Sequence, residues 1–145
     1  VYGPGVRANF EALLRVVACG VPLPFDAVEN RRSLVALDNL VGLIACCVDH
    51  PKAAGQTFMV SDGEDLSTPG LIRRMAKAMD RPARLIEVPV WFLHLLGKLT
   101  RKSDAIQRLC GNLQVDISKT KAVLGWKPPI SVDEGLRRAA VQWRK

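Results

Sequence analysis

The groups in this 145-residue chain that could do chemistry are few and scattered. The two histidines, His50 and His94, have no ligand spacing to each other, and the four cysteines, Cys19, Cys46, Cys47 and Cys110, form no C-x-x-C pair, which argues against zinc and redox chemistry. The isolated histidines build no convincing Ser-His-Asp order. The single tyrosine, Tyr2, is followed four positions later by Val6, so no Tyr-x-x-x-Lys acid with a lowered pKa is present. The glycines give no G-x-G-x-x-G and no P-loop, which leaves out a dinucleotide or triphosphate cradle. Asp62, Glu64 and Asp65 form an acidic cluster that could hold a cation, but a Gly-containing loop of this kind is more often a solvated turn. Taken alone, the chain reads as one that binds and does not catalyse, with no metal site and no cofactor-binding or catalytic residues of its own.

Charge points to the kind of ligand. The net charge is +7, yet residues 1–97 hold ten Lys/Arg against ten Asp/Glu, so the whole excess lies in residues 98–145, with eleven against four. A basic end of this kind suits an anionic partner, a nucleic acid or a phosphorylated small molecule, although a merely solvated basic surface is the alternative. Nucleic acid is the poorer choice, because Trp91, Phe92, Trp126 and Trp143 are not interleaved with Lys/Arg as a stacking platform requires.

The elements that must position such residues are short. Phe10, Leu13, Leu14 and Val17 recur at three and four, predicting an amphipathic helix from about Asn9 to Ala18 that ends at Gly20. Residues 21–25 carry two prolines and read as an extended edge. Strands are expected over 32–37, 57–60, 84–88 and 113–117. An apolar helix is expected over 40–49, capped by Asp38-Asn39, with Cys46 and Cys47 as small buried hydrophobes. Thr68 and Pro69 read as the start of a helix whose buried stripe is Leu71, Ile72, Met75 and Met79. Pro89 opens an apolar helix over 90–96, Ser118 caps one that stops at Gly125, and Ser131-Val-Asp-Glu134 is a capping box for the last. Short strands alternating with helices predict one α/β domain over 1–145, a small mixed unit whose strands are too few for a doubly wound sheet. At 48% apolar the chain can bury roughly two-thirds of its unfolded surface. The longest apolar run, Leu40 to Val48, is well short of the about 20 residues a bilayer needs, so no membrane span is expected, and cysteine usage fits a reducing cytoplasm.

Four phrases occur in a familiar order: Val-Tyr-Gly-Pro-Gly at 1–5, Asn30-Arg-Arg-Ser-Leu-Val-Ala-Leu-Asp-Asn39, Val115-Asp-Ile-Ser-Lys119, and Val123-Leu-Gly-Trp-Lys-Pro128 with Glu134-Gly-Leu136. Together they resemble the C-terminal half of extended short-chain dehydrogenase/reductases, the NAD-dependent nucleotide-sugar epimerases, dehydratases and 4-ketoreductases. The resemblance implies a fragment of a longer chain, since the phrase at Val1 starts where the family's N-terminal Rossmann half has already ended. That half would bind NAD or NADP and carry the Tyr-x-x-x-Lys pair, so the parent would be an enzyme, with no cofactor bound by this chain alone. The implied partners are a nucleoside-diphosphate sugar, most simply UDP-linked, and the missing Rossmann half. A homodimer of the parent is a further option. Alternatives within the resemblance are a UDP-sugar 4-ketoreductase of surface-polysaccharide synthesis and a non-catalytic binding module of the same ancestry.

Carried over position by position, the resemblance assigns substrate contacts. Arg32 stands where the family's arginine reaches the pyrophosphate, a role suited to bidentate guanidinium bonds; a strand-edge pairing with Glu29 or Asp26 is the alternative. Asn9 matches an asparagine beside the diphosphate, or is a simple N-cap. Leu23 and Phe25 match the segment whose backbone pairs with the base, although Phe25 could equally be core. Arg108 resembles a second phosphate-binding arginine, but Arg108-Leu-Cys-Gly-Asn stands where the family has Arg-x-Gly-Asp.

Overall fold

In the computed structural model, which describes residues 1–99 and 103–143 and, within these, not the side chains of Ala8, His94, Leu96 and Ala105, helices build the core and strands shrink to contacts of one or two residues. Chain order is α1 (Ala8–Ala18), β1 (Arg32–Ser33), α2 (Leu37–Asp49), β2 (Asp65–Leu66), α3 (Thr68–Ala78), α4 (Val90–Leu99), α5 (Ser103–Cys110), α6 (Ser118–Leu124) and α7 (Val132–Ala139), with a final 3-10 turn at Val141–Trp143. β1 and β2 pair antiparallel, Arg32 opposite Leu66 and Ser33 opposite Asp65. Three isolated parallel bridges, Tyr2 to Ala36, Leu23 to Leu85 and Arg32 to Leu113, tie distant segments alongside. The expected class, a small mixed α/β unit of short strands and several helices, is the one observed.

The main core lies between α1, α3 and α7. The α3 stripe Leu71, Ile72, Met75 and Met79 is buried, against Leu14 and Val17 of α1 and Val132, Leu136 and Ala139 of α7. Full burial of each such side chain contributes about 1.5–3 kcal/mol, so this seam is the main source of stability. A smaller cluster of Leu43, Leu124 and Trp126 sits under α2, with Cys46 and Cys47 half-buried against it.

One polar knot crosses the core. The buried Asp62 accepts from the Tyr2 hydroxyl at 2.7 Å, the Ala36 N–H at 2.8 Å and Asn39 Nδ2 at 2.7 Å. Asn39 in turn donates to the Ile130 carbonyl and accepts from the Ile130 N–H, each at 3.0 Å. Burial, followed by the bond to Asp62, pushes the Tyr2 phenol well above its ordinary range. Gly135 of α7 is required here, because a Cβ at that position would lie 2.6 Å from the Tyr2 hydroxyl.

Several local expectations give way to tertiary contacts. Helix α2 begins at Leu37 with Ala36 as its N-cap, so neither Asp38 nor Asn39 caps it. Asp38 instead pairs with Arg138 at 2.9 Å, and Asn39 is wholly buried in the knot. Ser67, not Thr68, caps α3, its hydroxyl accepting from the Gly70 N–H at 3.1 Å. Ser118 lies inside α6, whose N-cap is Ile117, and its hydroxyl donates to Asp116. Ser131 does cap α7, while Glu134 turns forward to Arg137 and Arg138 instead of closing a capping box. Gly125 ends α6 in the left-handed conformation, as its position predicts.

The expected strands are mostly unmade. Residues 57–60 form no ladder; side chains of α6 hold them instead, through Lys119 to the Thr57 carbonyl and Thr120 to the Met59 carbonyl. The 84–88 and 113–117 segments each keep a single bridge, and the 32–37 strand is two residues plus the bridge at Ala36. Helix α5 had no counterpart in the sequence reading. Arg101, Lys102, Arg144 and Lys145, part of the basic excess, lie outside the described residues, as does the side chain of His94.

Candidate functional site

The five residues assigned to substrate contacts come from four separate stretches of chain, and all five line one cavity of about 390 Å³. Asn9 enters from α1, Leu23 and Phe25 from the proline-containing segment, Arg32 from β1 and Arg108 from α5. Apolar side chains make most of the wall: Phe10, Leu13 and Val16 from α1, then Leu34, Leu71 and Leu109. Among the described residues no carboxylate lines the cavity, so its two arginines bias it toward an anion.

Arg32 is held from behind. Its Nη1 donates to the carbonyl of Arg108 and, at 3.2 Å, to that of Gly111, both at the C-terminal end of α5, where carbonyls lack helical partners. This leaves Nη2 and Nε as donors for an anion. The pairing with Glu29 or Asp26 is not made; Asp26 is bonded to Arg73. The Arg108 guanidinium has no hydrogen bond or ion pair within the described residues, and the two arginines meet through the Arg108 backbone. Asn9 is the second residue of α1, past the N-cap Arg7, so it does not cap the helix. Phe25 is both core and wall: it is buried in the main cluster and still lines the cavity.

Asn30 and Thr68 set this geometry, although the sequence marks them only as the start of a family phrase and of a helix. Buried Asn30 donates from Nδ2 to the carbonyls of Leu109 at 2.9 Å and Gly111 at 3.1 Å, and its Oδ1 accepts from the Thr68 N–H at 2.7 Å. The Thr68 hydroxyl donates to the Leu109 carbonyl. Together they clamp the end of α5 beside β1 and α3. Gly111 allows the tight exit, since a Cβ there would lie 2.8 Å from the Gln107 carbonyl. The sequence signal for this corner was the apolar spacing of Ile106, Leu109 and Cys110 before a stop at Gly111.

The acidic cluster dissolves into separate structural roles. Asp62 belongs to the knot, Glu64 pairs with Arg74, and Asp65 accepts from Gln114 Nε2 at 2.7 Å. Hydrogen bonds from Ser33 and then Gln114 hold the Asp65 carboxyl below its ordinary value. Among the described residues no three His, Cys, Asp or Glu side chains gather as a metal group. A dinucleotide fold holds its cofactor on a glycine-rich turn whose backbone approaches the pyrophosphate; among the described residues that line this cavity there is no glycine.

Comparison with known proteins places the chain. It is 55% identical over 141 residues to a UDP-glucose 4-epimerase of Vibrio cholerae, spanning 97% of this chain and 43% of that protein. The chain is a homologue of part of that epimerase. A second relative, at 23% identity over 95% of this chain and 45% of its own length, is the N-acetyl-alpha-D-glucosaminyl-diphospho-ditrans,octacis-undecaprenol 4-epimerase of Escherichia coli O157:H7. Among solved structures, RMD from Pseudomonas aeruginosa complexed with NADPH shares the fold, with a TM-score of 0.67 and 16% identity over 99% of this chain and 45% of that one. No protein-family model matches the sequence. The resemblance to the extended short-chain dehydrogenase/reductases of the nucleotide-sugar epimerase and dehydratase type therefore holds, and the chain spans less than half the length of each relative. Among the described residues no helix is long and apolar enough to cross a membrane.

Proposed function

We propose that residues 1–145 are the substrate-gripping domain of a longer NAD(P)-dependent epimerase or dehydratase, acting in the cytoplasm on a sugar activated as a diphosphate. In this reading Arg32 and Arg108 hold the diphosphate, Asn9 bonds to it, and Leu23 and Phe25 border whatever the diphosphate carries. Cofactor and acid–base residues come from a Rossmann half outside these 145 residues. The observation that carries the reading is the convergence of five separately assigned residues on one cavity with two arginines and no carboxylate in its wall. A guanidinium braced on backbone carbonyls with donors to spare suits a phosphate oxygen pair.

The two named epimerases support it. By name one acts on a sugar joined to UDP and the other on a sugar joined to undecaprenol through a diphosphate, so a sugar on a diphosphate is common to both. The nucleoside form, a UDP-sugar, is the substrate the sequence resemblance implies.

The test is a titration of the full-length protein with UDP, UDP-glucose, inorganic diphosphate and a DNA oligomer. Diphosphate compounds are expected to bind and the oligomer to be ignored. Arg32→Ala should weaken diphosphate binding at least tenfold, the scale of one lost charge-assisted bond. Undiminished binding in that variant would remove the phosphate role from Arg32.

A further inference from the structure

Both cavity arginines hang on one corner of backbone, and Asn30, Gly111 and Asn112, which build that corner, lie outside the cavity wall. We propose that Asn30 is the positioning residue of the anion site, fixing Arg32 and Arg108 relative to each other so that the two guanidiniums meet a ligand as one unit. The inference rests on the proposed diphosphate site and adds the residue that sets its affinity without touching the ligand.

The last carbonyls of a helix have no donors within it and must find them elsewhere. At the end of α5 they find them in two side chains of one extended segment. Arg32 Nη1 donates to the carbonyl of Arg108 and, at 3.2 Å, to that of Gly111. Asn30 Nδ2 donates to the same Gly111 carbonyl at 3.1 Å and to the Leu109 carbonyl at 2.9 Å. Asn30 and Arg32 are two positions apart, the spacing that puts side chains on one side of extended backbone. The carbonyl that braces Arg32 is therefore itself held by Asn30. Arg108 directly precedes Leu109, so the same amide fixes where the Arg108 side chain leaves α5.

Main-chain bonds lock the two segments on either side of Arg32. The Leu113 N–H donates to the Arg31 carbonyl at 2.9 Å and the Ser33 N–H to the Leu113 carbonyl at 2.7 Å. Asn112 Oδ1 accepts from the Arg31 N–H at 2.7 Å. The phrase Arg108-Leu-Cys-Gly-Asn112 thus has a use of its own: Gly111 supplies the shared carbonyl, and Asn112 pins the backbone beside Arg32. Asn30 ties this corner to the core, because it is buried and its Oδ1 accepts from the Thr68 N–H of α3 at 2.7 Å. Bidentate contact with an anion demands that a guanidinium keep its place and angle, and that place is kept by the groups bonded behind it.

The experiment titrates inorganic diphosphate calorimetrically into the full-length protein, its Asn30→Asp and Arg108→Ala variants and the double variant, with urea unfolding of each. Asn30→Asp keeps an acceptor for Thr68 and sets a carboxylate oxygen against the carbonyls in place of the donors. Diphosphate affinity should then fall about tenfold, the scale of one displaced charge-assisted bond. In the double variant the affinity loss should be smaller than the two single losses combined, because an absent guanidinium cannot be misplaced, whereas the stability losses should simply add. Undiminished affinity in Asn30→Asp, or affinity losses that combine in full, overturns the positioning role while the diphosphate site stands. Stability losses that fall short of additivity in step with the affinity losses make Asn30 a merely structural residue and also overturn it. Failure of the unaltered protein to bind diphosphate overturns the site itself. If Asn30→Asp does not fold, Gly111→Ala displaces the shared carbonyl from the other side, its Cβ lying 2.8 Å from the Gln107 carbonyl. That variant is held to the same outcomes.

Discussion

Two polar sites in this molecule have opposite designs. Around Asp62 every strong donor and acceptor is spent inside the protein: three donors converge on one carboxylate, and Asn39 is bonded at both ends of its amide. At the cavity, one arginine is braced at one nitrogen only, the other has no bond within the described residues, and the wall between them is apolar. A closed polar network gives rigidity and leaves nothing to offer a ligand. An open pair of guanidiniums over an apolar floor contributes little to folding and is available to an anion. Of the acidic cluster, Asp62 is structural, whereas the two arginines at the cavity keep donors unspent within the described residues.

This contrast can be broken by mutation, starting with the knot. Asp62→Ala strands the buried Ala36 N–H, takes from the Tyr2 hydroxyl all but its longer bond to the Val132 carbonyl and leaves Asn39 Nδ2 only the Ile130 carbonyl, and each buried donor left unmet costs about 1–3 kcal/mol. A loss of about 3 kcal/mol or more is expected in the urea unfolding of the full-length protein, and a loss under about 1 kcal/mol would erase the distinction drawn here. Gly135→Ala attacks the same knot by volume, pressing a Cβ to 2.6 Å from the Tyr2 hydroxyl. Overpacking of that kind costs about 1–3 kcal/mol, again read from the unfolding midpoint.

On the other side, Arg108→Ala should leave stability within about 0.5 kcal/mol, as at other surface positions without a structural partner. Its affinity for inorganic diphosphate should fall severalfold, measured by titration; a large stability loss with unchanged affinity would reverse the roles of the two sites. The smallest effect is expected at α7. Bonds from Arg137 and then Arg138 lower the Glu134 carboxyl from 4.5 to about 2. A lowered folded-state value adds stability above pH 4.5 that is lost as the pH falls toward 2. Glu134→Gln should flatten that part of the acid unfolding curve slightly, because both arginine partners are exposed to screening solvent.

Helices α1 and α3 were legible because their apolar spacing is local: both follow from residues three and four apart, with Leu14 and Val17 of α1 and Leu71, Ile72, Met75 and Met79 of α3 buried as expected. The caps were less legible, since choosing Ser67 over Thr68 depends on Asn30 claiming the Thr68 N–H and hydroxyl from 38 positions away. Strand signals at 57–60 and 113–117 misled for a related reason. A strand needs a partner to become one, and these segments find side chains or a single bridge.

By itself the sequence determined the class of the domain, its main helices, the place of its charge excess and, through four short phrases, the family to which it is related. It also offered five candidate substrate-contact residues, but as separate resemblances with nothing to join them. Tertiary structure decided that Asn9, Leu23, Phe25, Arg32 and Arg108 share one cavity and that the acidic cluster is a set of braces. Local propensity depends on neighbours a few residues away, whereas a binding site depends on side chains whose distance along the chain carries no information about their distance in space.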